Sequence, residues 1–221
     1  MTHLDSLLEG VSGRRLRLAR GQIIYDEGEP SGLMYRLESG CVRLQVNGEN
    51  GDRQIIAFLF PGELFGFCLD QRNTSAEAVS DVEVTRFMTR MVLERSVARP
   101  DVVIELINRS SALYGVLAHH VEKITHLPSH ERLIWFFNWL LRHAGGDGDA
   151  SGVIELPMNY RDIADFLSLK PETLSRALKQ LEDTGYLARR GQRTVVLRQP
   201  SVTLPLRPGD QLVAQADSPP G

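Results

Sequence analysis

The spacing of hydrophobic and polar positions changes twice along the chain, and the first part is typical of strands. Between residues 14 and 88, short apolar or alternating stretches are separated by glycines and by Pro61. This pattern predicts seven strands, at Arg14–Leu18, Gln22–Tyr25, Met34–Leu37, Val42–Val46, Gln54–Phe60, Ala76–Ser80 and Val82–Phe87. Strands this short and closely spaced indicate a small antiparallel barrel or jelly roll.

The second pattern is a heptad-like repeat that follows Pro100. Eight positions recur at alternating spacings of three and four residues, and most of them are apolar, as in the seam of a coiled coil. A single helix packed on its own domain is the alternative, but so long and regular a seam favours a partner helix and therefore a homodimer. The predicted interface residues are Val103, Leu106, Ser110, Leu113, Leu117, His120, Ile124 and Leu127.

The third pattern indicates two further helices joined by a tight turn. Pro128 ends the long helix, and the segment from His130 that follows is apolar nearly all round, so we expect a buried helix there. Asn159 followed by Asp162 resembles a capping box at the start of a short helix. A turn over residues 168–170 leads to a second helix that begins at Pro171 and is closed by Gly185. Helix, short turn and helix together predict a helix-turn-helix.

The second helix of this motif carries side chains that can read DNA bases. With Leu174 and Leu178 facing inward, Glu172, Ser175 and Arg176 lie on the opposite face, near the helix N-terminus. The arginine fork matches guanine O6 and N7, and a glutamate can accept a hydrogen bond from cytosine N4. The N-terminal part of a recognition helix enters the major groove first, so these three residues are the predicted base readers.

A hairpin with arginine-rich edges is predicted over residues 186–197, as a wing that contacts phosphate. The predicted contacts to the DNA backbone are Lys170, Thr173, Lys179, Arg189, Arg190 and Arg193. Residues 159–198 contain eight basic and five acidic residues, a net charge of +3, although the whole chain carries −3. A basic module on an acidic carrier is compatible with binding double-stranded DNA.

Composition restricts the class of protein further. A length of 221 residues suits two compact domains, each with its own core. No apolar run approaches the ~20 residues that span a bilayer, and the N-terminus has no signal-peptide pattern. Two cysteines cannot form a disulfide framework, so we expect a cytoplasmic protein without a membrane partner.

Taken together, these motifs resemble the CRP/FNR family of regulators over nearly the whole chain. The run from Glu172 to Arg176 matches the Glu-x-x-Ser-Arg pattern of the FNR branch, which includes FixK-like proteins; Ser168 departs from the family, which usually has glycine there. The resemblance implies an α+β fold: an N-terminal antiparallel β-roll like a cyclic-nucleotide-binding domain (residues 1–98), a dimerisation helix (99–127) and a C-terminal winged helix-turn-helix (128–200). The remaining residues, 201–221, lack aromatic side chains and are rich in proline, so we expect a flexible tail there. It also implies a homodimer on a palindromic TTGAT-like site, with RNA polymerase as a partner.

Cyclic nucleotide binding is not expected, although the fold resembles such domains. Family members that bind the nucleotide use a Gly-Glu-x-x-Gly-Glu loop and then Arg-Ser-Ala, whereas this chain has Phe67 in place of the second glutamate and Thr74 in place of the arginine. Arg72 is nearby and could compensate in principle. The adenine-contacting positions fall at Leu117 and Ala118, which cannot hydrogen-bond through their side chains.

Other sensing chemistries and other classes of protein are less favoured. An iron–sulfur cluster needs about four cysteine ligands, so the remaining alternatives are redox sensing by Cys68 or haem ligation by His119, His120, His126 or His130. A β-roll metal enzyme is disfavoured because all six histidines lie outside the strand region. A regulatory subunit that grips another protein would not need the winged helix. We therefore predict no enzymatic activity, no metal and no cofactor.

Overall fold

The N-terminal half of the protein folds into a β-roll, as predicted. The computed structural model describes residues 8, 10–48, 51–68, 70–97, 99–144 and 152–198. The strands are β1 (Arg14–Leu18), β2 (Ile23–Tyr25), β3 (Leu33–Ser39), β4 (Val42–Asn47), β5 (Arg53–Leu59), β6 (Leu64–Phe65), β7 (Ser75–Ala78) and β8 (Val82–Met88). They form two four-stranded antiparallel sheets, in the orders β1-β8-β3-β6 and β2-β7-β4-β5.

The roll is held together by apolar residues that alternate along its strands. Leu37 of β3, Val42 of β4 and Val84 of β8 are fully buried in its interior. Gly40 joins β3 to β4 with φ of +85°, and a Cβ atom there would lie 2.3 Å from the backbone oxygen of Asp81. Only glycine fits this turn without displacing backbone.

Three helices follow the roll: α1 (Thr89–Val97), α2 (Pro100–His126) and α3 (Ser129–Ala144). Helix α2 has proline in its first turn, and the chain is extended at Leu127. Helix α3 buries Leu133, Phe136, Phe137 and Leu140, which confirms the expected buried helix. None of the helices in the described residues is long and apolar enough to cross a membrane.

The C-terminal part is a helix-turn-helix with a three-stranded wing. Its elements are β9 (Val153–Glu155), α4 (Tyr160–Phe166), α5 (Pro171–Asp183), β10 (Leu187–Arg190) and β11 (Thr194–Leu197), with the strands in the order β10-β11-β9. The hairpin of β10 and β11 matches the predicted wing.

The β-roll has a hydrophobic core of its own, and in addition one face of the roll packs into the core of the winged helix. Phe58 of the roll lies 5.2 Å from Phe166 of α4, measured between ring centroids, and 6.4 Å from Phe136 of α3. Phe60 packs edge-on against Trp139 at 5.8 Å. The two halves are therefore joined by an aromatic junction as well as by the backbone.

Some predictions fall outside the described residues. These are the C-terminal tail from residue 199, the loop over residues 145–151 and the side chains of Leu106 and Ser110. The proposed domain boundaries at residues 98, 127 and 200 also stay predictions.

Candidate nucleic-acid interface

The first helix of the helix-turn-helix begins with the predicted capping box. The Asn159 side chain accepts a hydrogen bond from the Asp162 backbone N–H at 2.8 Å, and the Asp162 carboxylate accepts one from the Asn159 N–H at 3.4 Å. The helix ends near Leu167, whose carbonyl accepts a hydrogen bond from Arg132 of α3 at 3.0 Å. Both ends of this short helix are thus fixed before the turn begins.

The turn between α4 and α5 depends on an unusual serine. Ser168 has φ of +52° and is the only non-glycine residue with positive φ in the described part of the chain. A side chain in this region costs of order 1 kcal/mol, which explains why glycine suits the position. Here the Ser168 hydroxyl donates to Gln54 Oε1 of β5 at 2.9 Å, a contact that glycine could not make.

Helix α5 presents the predicted base-reading side chains to solvent. Its buried face is formed by Leu174, Ala177, Leu178 and Leu181, at the spacing of an amphipathic helix. Glu172, Ser175 and Arg176 are all exposed near the helix N-terminus, with Pro171 in the first turn. The described surface therefore offers one carboxylate, one hydroxyl and one guanidinium on a helix end that is free to enter a groove.

The predicted backbone contacts surround this helix, with one difference from the expectation. The side chains of Lys170, Lys179, Arg190 and Arg193 are exposed, and Thr173 is half-buried. Arg189 is instead paired with Glu182 of α5, through Nη2–Oε2 and Nε–Oε1 distances of 2.6 and 2.8 Å. This hydrogen bonding raises the pKa of Arg189 and lowers the pKa of Glu182. Because Glu182 neutralises Arg189, the wing offers phosphate fewer unpaired charges than expected.

Ion pairs between the β-roll and α4 fix the helix-turn-helix, a feature that the sequence analysis missed. Arg43 Nη1 and Arg53 Nη2 each lie 2.8 Å from Asp162 Oδ1, and Asp162 is almost completely buried. Arg53 also donates to Asp165 through Nε at 2.9 Å. Gln54 adds a bond to the Asp165 carbonyl at 2.7 Å. Charged residues inside strands β4 and β5 were the available signal, but their partners are more than 100 residues away.

Helix α2 exposes an apolar stripe that overlaps the predicted dimer seam without matching it. The side chains of Val103, Ile107, Tyr114 and Val121 are exposed, with Tyr114 at 75%. Of the predicted seam, Leu113 is exposed, while Leu117, Ile124 and Leu127 are half-buried. The stripe therefore runs one position later than expected at Ile107, Tyr114 and Val121.

His120 departs from the predicted seam because its ring is buried within the chain. It lies 4.2 Å from the Phe166 ring and 5.8 Å from the Trp135 ring, and only 5% of the residue is exposed. Burial lowers the pKa of His120 to about 4, opposed by a backbone group of Phe166. The seam assignment of His120 is corrected accordingly: it joins α2 to the helix-turn-helix.

The β-roll loop that resembles a nucleotide site is filled by its own side chains. The Arg72 guanidinium donates to the carbonyls of Gly66 and Leu33 and lies 4.3 Å above the centroid of the Tyr25 ring. Tyr25 and Tyr35 stack at 5.8 Å. Only 5% of Arg72 is exposed, so its guanidinium group contacts the protein interior and is not available to a ligand.

The two cysteines lie in different surroundings. Cys41 is buried, and burial raises the pKa of its thiol, which makes it a poor nucleophile. Cys68 is half-buried, with its Sγ 2.8 Å from the Gln71 carbonyl oxygen. The described residues contain no group of three or more histidine, cysteine or acidic side chains that could hold a metal ion.

Comparison with known proteins agrees with both halves of the fold. Residues 15–94 match the model of the cyclic nucleotide-binding domain, and residues 131–202 match the Crp-like helix-turn-helix domain. The chain is 31% identical over 193 residues to the nitrogen fixation regulation protein FixK of Rhizobium meliloti (strain 1021), covering 86% of each protein. It is 34% identical over 183 residues to FixK of Azorhizobium caulinodans, covering 81% of this chain and 73% of that protein. The solved structure of FixK2 from Bradyrhizobium japonicum superposes with a TM-score of 0.79 at 27% identity, covering 96% of this chain and all of that one.

Proposed function

The chain belongs to the CRP/FNR family of transcription regulators, and from this we propose that it binds a palindromic, TTGAT-like DNA site as a homodimer. The relatives are transcription regulators and not enzymes, which excludes the β-roll metal enzyme. One observation carries the proposal: α5 leaves Glu172, Ser175 and Arg176 exposed at its N-terminus, on a helix fixed on its buried side. This is the end of a recognition helix that reads base edges.

The apolar stripe on α2 supports the homodimer. Val103, Ile107, Tyr114 and Val121 together expose more apolar surface along one helix face than a lone helix in water favours. A second copy of the same helix would bury this stripe in a two-fold contact, in which each chain offers the same residues. A dimer also brings two recognition helices to half-sites one DNA turn apart, which requires a palindrome.

We further propose that the regulator works without bound cyclic nucleotide, iron–sulfur cluster or other cofactor. Phe67 and Thr74 stand where the family's ribose and phosphate contacts would be. Arg72 would have to leave two carbonyls and the Tyr25 ring to reach a ligand phosphate. A cytoplasmic location fits a DNA partner and two free thiols. RNA polymerase is the second partner that regulation of transcription requires.

The test is binding to three labelled duplexes that differ only in the site. One carries two inverted TTGAT half-sites, the second carries one half-site, and the third has a shuffled sequence of the same composition. We expect the full palindrome to bind at least tenfold more tightly than the single half-site, because only a dimer engages both halves. Equal affinity for all three duplexes would refute sequence-specific binding, and equal affinity for the first two would refute the dimer.

A further inference from the structure

A cleft of about 460 Å³ lies where the β-roll meets the start of α4. Its walls come from the turn between β1 and β2, from strands β4, β5 and β7, and from the first residues of α4. The charged side chains that line it are Arg20, Arg43, Arg53, Arg161, Glu77 and Asp162. Four guanidinium groups thus face two carboxylates, so the cleft is electropositive.

Two of the four arginines are fully engaged with those carboxylates. Arg43 donates from Nη1 to Asp162 and from Nη2 to Glu77, at 2.8 and 2.7 Å. Arg53 holds Asp162 and Asp165 together. The acidic groups at the cleft are therefore neutralised by the arginines that hold the two domains together.

The other two arginines that line the cleft are Arg20 and Arg161. Both residues are exposed, and within the described ranges neither side chain takes part in a hydrogen bond or an ion pair. The nearest acid to the Arg20 backbone is Asp81, whose carboxylate accepts a hydrogen bond from the Arg20 N–H at 3.0 Å. Both guanidinium groups line one cleft from opposite domains, so an anion bound between them would be attracted to both charges.

We propose that Arg20 and Arg161 form a phosphate-binding site that bridges the β-roll and the winged helix. The guanidinium fork matches the oxygens of a phosphate group, and the volume of the cleft lies in the range of small-ligand sites. Two kinds of molecule could supply this phosphate group. It belongs either to DNA that flanks the recognition site, since the first helix of a helix-turn-helix crosses the DNA backbone, or to a free phosphorylated molecule. The DNA source rests on the proposed function, whereas the free source does not.

The experiment compares Arg20→Gln and Arg161→Gln with Arg17→Gln as the matched control. Arg17 is also an exposed arginine of the same segment, but it pairs with Glu83 and does not line the cleft. Each protein is titrated with the palindrome in a short duplex of about 20 base pairs and in a long one of about 40 base pairs, and separately with inorganic pyrophosphate by calorimetry.

If the phosphate belongs to DNA, Arg20→Gln binds the long duplex about threefold to tenfold more weakly and lowers its salt slope by about one, while the short duplex is bound as by the control. If it belongs to a free molecule, pyrophosphate binds the unmodified protein and Arg17→Gln but neither cleft variant. The proposal is overturned if both cleft variants match Arg17→Gln in both titrations. In that case specific binding to the palindrome still stands on its own. If the protein instead shows no specific DNA binding, the pyrophosphate titration still decides whether the cleft binds phosphate.

Discussion

Replacing Asp162 by asparagine tests whether ion pairs hold the helix-turn-helix on the β-roll. Asp162 is 1% exposed and receives both Arg43 and Arg53 on one oxygen, at 2.8 Å each. In asparagine one of the two carboxylate oxygens becomes an NH2 donor, so the change removes the charge and one acceptor, while the backbone N–H of residue 162 still donates to the Asn159 side chain.

The expected loss of stability depends on which carboxylates the two arginines still contact in the variant. Removing one partner of a buried ion pair costs about 3–5 kcal/mol when the other charge is left alone. Here Arg43 retains Glu77 and Arg53 retains Asp165, so we expect a smaller loss of about 2 kcal/mol in the free energy of unfolding. Asp165→Asn is the control, because the Asp165 side chain is 22% exposed and, among the described residues, forms its ion pair with Arg53 alone, so its loss should stay below about 1 kcal/mol.

Urea unfolding at a fixed protein concentration measures both variants, because the proposed dimer would make stability depend on concentration. Tryptophan fluorescence suits the purpose, since Trp139 packs against Phe60 at the domain junction. A loss for Asp162→Asn no greater than that for Asp165→Asn would refute the reasoning. It would mean that the buried carboxylate of Asp162 contributes no more to stability than the half-buried carboxylate of Asp165.

Three further predictions concern the dimer, the buried histidine and the β-roll. Leu117→Asp places a charge from each chain in the predicted seam, so the protein should sediment as a monomer at micromolar concentration and lose most specific DNA binding; a stable dimer with unchanged affinity would contradict the seam. Because the pKa of His120 is lowered to about 4, the folded state takes up fewer protons than the unfolded chain below pH 6.5, and stability is lost as the pH falls from there towards 4. Between pH 7 and pH 5 this loss is about 2 kcal/mol and should be absent in His120→Gln, whereas an equal pH dependence in both proteins would contradict it. Calorimetric titration with cAMP or cGMP should give no binding heat. Micromolar binding of either nucleotide that also tightens DNA affinity would refute the proposal that the regulator works without a cyclic nucleotide.

The elements that carry function were predictable because their signals are local. The spacing of Leu174, Leu178 and Leu181 fixes the buried face of α5 and therefore the exposed positions of Glu172 and Arg176. The Asn159 cap is likewise predictable from four consecutive residues. Strand β6 has only two residues, too few for a period to be visible, and was missed.

The contacts between the domains could not be predicted in the same way. Arg43 and Asp162 are 119 residues apart in sequence, and nothing near either residue indicates the other. The same holds for Phe58 and Phe166, each of which could equally belong to a separate core. His120 occupies a seam position by spacing, but the neighbouring domain covers it. Long-range packing, not local propensity, decided these three sites.

The most direct test of the central claim is the base preference of the protein with and without Arg176. Affinities are measured for the palindrome and for every single-base change within one half-site, using the unmodified protein and Arg176→Ala. We predict that Arg176→Ala costs about 1–3 kcal/mol on the palindrome and removes the preference at one base pair, while preferences elsewhere persist. An equal loss on the palindrome and on shuffled DNA, with all base preferences retained, would show that Arg176 contacts only phosphate and would contradict its role as a base reader.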